Sequence, residues 1–238
     1  MKCLVYCILR DEELPYDRLP VGVDGNKVSL LRDDGLVGVF SMVDDARDVP
    51  EMSRVKVYEA VIETLHRLHT VLPMRYGCLL PSETHLKVLL RECRQEFLGS
   101  LDEVQDCVEM VLHLCLGAPE STMPDHASDH SLTPSPGMAH LTALKRHYAQ
   151  LDTAARSAEM VTEKCREAFE GLFVKWKAEH SPLVNPVSHA PTLRLFFLVK
   201  RENQEVFRNV YRDLALGGTV NARLSGPWPP HNFVQPER

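Results

Sequence analysis

The stretch Cys107-Val108-Glu109-Met110-Val111-Leu112-His113-Leu114-Cys115-Leu116 decides the fold. Val108, Met110, Leu112, Leu114 and Leu116 alternate with Cys107, Glu109, Val111, His113 and Cys115. A period of two is the signature of a strand, because successive side chains leave opposite faces. One face is fully apolar; the other carries Glu109, His113 and Cys115. Two helical segments precede this strand. Ser53–His69 places Val57, Val61, Leu65 and Leu68 on one stripe, with Tyr58 and Ile62 beside it. Ser82 is placed to cap a second helix reaching Leu98, with Leu86, Leu89, Cys93 and Phe97 inward.

Further strands lie upstream. Residues 2–9 form an apolar run that suits a central strand, and Leu36–Val43 forms another. Between them Asp24-Gly25-Asn26 signals a turn and Lys27–Leu31 suits a short strand. Thr70–Gly77 is a short extended piece broken by Pro73. Strands covered by two helices indicate a two-layer α+β unit over residues 1–116, ferredoxin-like in the broad sense.

Gly117–Gly137 breaks the pattern. It holds Pro119, Pro124, Pro134 and Pro136 and no Lys or Arg, so it reads as a flexible linker. The third segment, 138–238, opens on a helical seam. Leu141, Leu144, Tyr148, Leu151, Ala155, Ala158, Thr162, Cys165, Phe169, Leu172 and Trp176 follow alternating spacings of three and four. Either one long helix or a hairpin broken near Asp152–Ser157 satisfies this spacing. Leu144 and Leu151 are the candidate contact residues of the seam. Thr192–Lys200 then reads as a strand, Asn203–Leu216 as a helix, Gly217-Gly218 as its stop and Thr219–Ser225 as a last strand. The fold class expected is α+β: two small ferredoxin-like-type domains plus a long helical, coiled-coil-like or hairpin segment.

Composition narrows function. The chain has 238 residues, a formal net charge of −6 and 44% hydrophobic residues, which suits a globular protein. Residues 1–116 carry 13 basic and 20 acidic groups, a balance of −7; residues 117–238 carry 14 and 13, or +1. An acidic balance disfavours nucleic acid as a partner. No apolar run approaches the ~18–20 residues of a membrane-spanning helix. The seven cysteines are odd in number and lie in apolar periodic segments, the pattern of free thiols in a reducing compartment.

Chemistry-bearing motifs are sparse. His66 and His69 share a helix face, and His126-x-x-x-His130 has metal-like spacing, but neither has a third ligand nearby in sequence. His113 and Cys115 share a strand face, which leaves open a small-ligand or redox enzyme on a ferredoxin-like scaffold. Neither an oxyanion loop nor a third group accompanies them. The chain is therefore expected to be no enzyme and to need neither metal nor cofactor.

The tail Ser225-Gly226-Pro227-Trp228-Pro229-Pro230-His231-Asn232-Phe233-Val234 gathers three Pro and two aromatics. Pro229-Pro230 is pre-set to an extended conformation, and Trp228 and Phe233 are apolar anchors. We expect Trp228 and Phe233 to pack across a sheet of the second domain; a partner-binding peptide is the alternative. This tail resembles the C-terminal signature of the gas vesicle GvpL/GvpF family, which typically has Tyr-Ser where this chain has His231-Asn232. Thr70-Val71-Leu72-Pro73-Met74-Arg75-Tyr76-Gly77 is similar to the family's T-V-L-P-M-R-F-G, and Leu195-Phe196-Phe197-Leu198-Val199 precedes an amphipathic helix as in the family. The matches run in order along nearly the whole chain.

The resemblance implies a minor gas vesicle protein of the cytoplasm. It would act beside the hydrophobic shell protein and other minor vesicle proteins, with no nucleic-acid or membrane partner. Within the similar segments, Arg75 needs a carboxylate or carbonyl partner, and Glu109 is the expected one.

Overall fold

A computed structural model describes residues 1–11, 19–44, 51–116, 155–181, 192–216 and 220–234. The chain is mixed α+β with two antiparallel sheets. It divides into two compact units that are discontinuous in sequence. Unit 1 comprises Met1–Met110, Leu198–Gln204 and Gly226–Arg238; unit 2 comprises Val111–Phe197 and Glu205–Ser225. The stretch read as a linker, 117–137, and the seam residues Leu144 and Leu151 lie outside the described residues, as do His126 and His130.

Unit 1 is built on β1 (Lys2–Arg10), β2 (Val28–Asp33), β3 (Leu36–Val43), β4 (Val71–Pro73) and β5 (Leu79–Leu80). The order is β2-β3-β1-β4, with β5 also paired to β1. The run at residues 3–9 is buried throughout because β1 is central, with β3 on one side and β4 and β5 on the other. A bulge at Tyr6 interrupts its pairing with β3, where Val5 opposes Phe40 and Cys7 opposes Val39.

The bulge organises the core. Tyr6 Oη donates to Ser41 Oγ at 3.0 Å and accepts from the Val23 amide at 3.0 Å. Ser41 Oγ passes a hydrogen bond to the Lys27 carbonyl. A Cβ at Gly22 would stand 2.5 Å from both Ser41 Oγ and Tyr6 Oη, so a side chain there would break the relay. Helix α1 (Met52–His66) lays Tyr58, Val61, Ile62 and Leu65 against the sheet. The Tyr58 hydroxyl lies 2.7 Å from the Val5 carbonyl and 2.9 Å from that of Met74, tying the helix to β1 and to the end of β4. Its ring packs 5.0 Å from Tyr6 and edge-on to Tyr76 at 5.2 Å.

The helix expected over Ser82–Leu98 is two helices. α2 (Glu83–Glu92) stops at Cys93, whose φ −96° and ψ 12° leave the helical range, and α3 (Arg94–Glu103) resumes. The break rotates the inward face: Leu86, Leu90 and Leu101 are buried, while Leu89, Cys93 and Phe97 are partly covered. Ser82 occupies the N-cap, but its Oγ bonds to His85 Nδ1 at 2.9 Å.

A second sheet has the order β7-β8-β6-β9, from β6 (Cys107–Leu116), β7 (Lys175–Ser181), β8 (Thr192–Lys200) and β9 (Val220–Trp228). The unit boundary falls within β6, β8 and β9. In unit 2, helix α4 spans 155–168 and α5 spans Gln204–Asp213. Phe169 stacks on Phe207 at 4.0 Å, and Phe197 closes the cluster at 5.3 and 5.4 Å. The seam therefore buries Ala158, Cys165 and Phe169 within its own unit. It ends before Trp176: Gly171 adopts φ +79°, which stops a helix without steric cost, and Trp176 belongs to β7.

Replacing Tyr58 by Phe removes the one O–H that lies between the Val5 and Met74 carbonyls while keeping the ring. We expect a loss of ~1–3 kcal/mol in urea unfolding. A change below ~0.5 kcal/mol would show that the hydroxyl does not hold α1 to β1.

Candidate functional site

The polar groups of unit 1 converge where the tail docks. Glu109 is 3% exposed, and a carboxylate buried to that degree needs donors. Asn232 supplies two: its backbone amide donates to Oε2 at 2.9 Å and its Nδ2 to Oε1 at 2.7 Å. Next to it, His231 Nε2 lies 3.1 Å from Glu59 Oε2 on α1. Pro229, Pro230 and Phe233 are buried, while Trp228 remains 40% exposed. Gly226 starts the approach at φ +110°, and a Cβ there would meet the Glu109 carbonyl at 2.6 Å. A glycine is thus required on both conformational and steric grounds.

Beside this lies a second buried polar pair. His66 is 4% exposed, and Arg201 Nη2 stands 3.3 and 3.4 Å from its ring nitrogens while donating to its carbonyl. Burial first, then the Arg201 charge and His231, hold the His66 imidazole down at about 3, so it is neutral near neutral pH. Arg201 is itself lowered by burial, and its backbone amide donates to the Asp106 carbonyl at 2.8 Å. Lys200 donates to the Gln105 carbonyl.

These contacts redistribute the expected roles. The tail belongs to unit 1, where Asn232 meets Glu109 of β6, a strand of the second sheet; Phe233 and the two prolines are buried there, whereas Trp228 ends β9 and stays exposed. Glu109 is satisfied by Asn232. Arg75 is exposed, and its carbonyl accepts from the Cys78 amide. His231 and Asn232 were passed over because, in sequence, they are the two tail positions that depart from the similar signature. A lone carboxylate in an apolar strand was the available signal; its partner lies 123 positions away. His66, weighed above as half of a metal pair, faces a guanidinium. Among the described residues no three His, Cys, Asp or Glu side chains gather as a metal ion requires.

His113 in unit 2 sits 3.0 Å, through Nε2, from Ser225 Oγ. Burial, then Arg194 and Arg223, lower its pKa. In unit 1, a cleft of about 320 Å³ is lined by Arg10, His69, Asp102 and Asp106 among others, with Arg10 paired to Asp102. No helix among the described residues is long and apolar enough to cross a membrane.

In unit 1 the tail is thus held by Glu109 and Glu59, with Pro229, Pro230 and Phe233 buried. The family model described as gas vesicle synthesis protein GvpL/GvpF matches residues 2–235, and the chain belongs to that family. It is 22% identical, over 267 aligned positions covering 97% of this chain and 90% of the relative, to gas vesicle protein L2 of Halobacterium salinarum. Two solved structures share its fold. The gas vesicle protein GvpF from Anabaena sp. PCC7120 has a TM-score of 0.76 at 17% identity, covering 100% of this chain and 97% of that one. GvpF from Microcystis aeruginosa has a TM-score of 0.73 at 16% identity, covering 98% and 99%.

The buried imidazole gives a signed pH dependence. Unfolded, His66 takes a proton near 6.5; folded, it takes one only near about 3. The unfolded state therefore binds more protons between these values, and stability falls as pH drops through that window, by up to ~1.4 kcal/mol per pH unit. Urea unfolding at pH ~7 and ~5.5, above most carboxylate titration, should show this slope in the native chain and a smaller one in His66→Gln. Equal slopes would assign the acid sensitivity elsewhere.

The Glu109 clamp is tested by Asn232→Asp. This retains the backbone donor but sets a carboxylate against a carboxylate, and should cost more than Asn232→Ala at pH ~7. The reverse order would mean that the side-chain contact is dispensable.

Proposed function

We propose that this chain is a minor structural or assembly component of gas vesicles. In this reading it works in the cytoplasm, binds the vesicle shell protein and other minor vesicle proteins, contributes to buoyancy by supporting vesicle formation, and catalyses no reaction. The observation that carries it is the family match across residues 2–235, which takes in both units and the tail. The name of the relative, a gas vesicle protein, points the same way.

Several finer assignments belong to the same proposal. The order β6-α4-β7-β8-α5-β9, with sheet order β7-β8-β6-β9, supports a ferredoxin-like plan for the second sheet. Residues 117–137 are proposed as the linker between an N-terminal domain over 1–116 and the C-terminal segment over 138–238. Leu144 and Leu151, from their seam positions, are proposed as contact residues, with Arg75 and the exposed Trp228 as further candidates. Glu109 and Phe233 serve architecture by holding the tail.

The test is complementation in a host whose own copy is deleted, paired with co-purification on the shell protein. The native chain should restore vesicles and retain shell protein. Removing residues 227–238 should abolish both and also lower the melting temperature, because Glu109 loses its donors. A truncated chain that melts like the native one yet fails to complement would make the tail a partner-binding peptide. Full complementation by Leu144→Asp and Leu151→Asp would remove those residues from the contact surface.

A further inference from the structure

One face of the unit 2 sheet is covered, and the opposite face is distinctive. Leu193, Leu195 and Phe197 of β8 are buried on the side of Phe169 and Phe207, as are Leu112 and Leu114 of β6. The alternate residues face away. Arg194 pairs with Glu179 of β7 at 3.8 Å, and His113 bonds to Ser225, two residues along β9 from Arg223. A row therefore crosses the strands in the order Glu179, Arg194, His113 and Ser225 with Arg223. The Arg194 side chain is 44% exposed and that of Glu179 57%, and Arg223 is exposed.

The charge on this face is opposite to that of the chain. Lys175 and Lys177 precede Glu179 at a period of two and are exposed. Among the described residues of unit 2 that alternate onto the face, four are cationic (Lys175, Lys177, Arg194, Arg223) and one, Glu179, is a carboxylate. The balance is 4 − 1 = +3, in a chain of net charge −6.

We propose that this sheet face of unit 2, centred on Arg194 and Arg223, docks a carboxylate-rich segment of a partner protein. Guanidinium groups present forked donors that match carboxylates in two-point hydrogen bonds. Arg194 and Arg223 lie on strands either side of His113, so an extended acidic segment laid across the strands meets both. A nucleic acid fits less well. Phe196, the aromatic alternating onto this face, is buried and offers no exposed stacking platform, and a polyanion would meet a net negative chain. The proposal rests on the reading of the chain as an assembly component only in expecting a protein partner.

The experiment is fluorescence anisotropy of a labelled oligo-glutamate peptide with the full chain, at low and high salt. Binding should be saturable and weaken as salt rises. Arg194→Glu with Arg223→Glu should weaken it by roughly tenfold or more, while Arg156→Glu on α4 should leave it unchanged. Near-ultraviolet circular dichroism confirms that the variants fold. No binding by the native chain, equal binding by the double variant, or tighter binding of a single-stranded oligonucleotide of matched charge would overturn the proposal. So would a native chain that self-associates while the double variant is monomeric, since the occupant would then be a second copy. Retained oligo-glutamate binding alongside failed complementation would count against the vesicle role alone.

Discussion

A carboxylate cannot be buried without donors, and Glu109 sets this condition for unit 1. Two hydrogen bonds from one residue, Asn232, meet it, one from the backbone and one from the side chain. The backbone donor requires the chain to run close beside β6, and Gly226 is the residue that permits the approach. Once the tail is there, Pro229, Pro230 and Phe233 add apolar burial at little conformational cost, because the prolines were already restricted. The His231–Glu59 contact then joins the tail to α1. Charge, backbone geometry and apolar burial thus reinforce one arrangement.

The same economy appears at the other end of unit 1. The bulge at Tyr6 interrupts the ladder with β3, and two tyrosine hydroxyls make buried hydrogen bonds around it. Tyr58 reaches the Val5 carbonyl, and Tyr6 turns inward to the Val23 amide and Ser41. Each hydroxyl lies in an apolar surround where an unmet polar group would be costly. The Tyr58 phenol is accordingly pushed well above its ordinary range by burial. Unit 2 is organised differently: Phe169 stacks on Phe207 and Phe197 tilts against both, an apolar cluster between its sheet and its helices.

Much of this was legible in the residues. Strands β3 and β6 begin and end where their patterns do, a continuous apolar run in β3 and an alternation of period two over ten residues in β6. The α1 stripe held Val61 and Leu65, with Tyr58 and Ile62 beside it, but its two ends did not follow: Val57 is 38% exposed, and Leu68, past the helix end at His66, is 73% exposed. Two features were hidden. The break at Cys93 leaves no proline or glycine behind, so a continuous stripe was the simpler pattern. The seam's apparent continuation to Trp176 was a coincidence of spacing, since Lys175 to Ser181 alternates as a strand once Gly171 has ended the helix. For the candidate site, Glu109 and the tail were visible separately. Their union was not, because no local pattern encodes a contact across 123 positions. Lys200 and Arg201 likewise have no local partner in the sequence; they reach the Gln105 carbonyl and His66.

The discontinuity of unit 1 has a consequence for synthesis. As the chain leaves the ribosome, residues 1–110 emerge first, carrying Glu109 with no Asn232 to meet it. All of unit 2 must be translated before residues 226–234 arrive. Closing so long a loop is slow relative to local helix and hairpin formation. The nascent chain therefore carries an unfinished first unit, with the Glu109 carboxylate still lacking the Asn232 donors, for the whole time that the second unit is being made. That interval is when a chaperone or an assembly partner has access to surfaces that the finished protein hides.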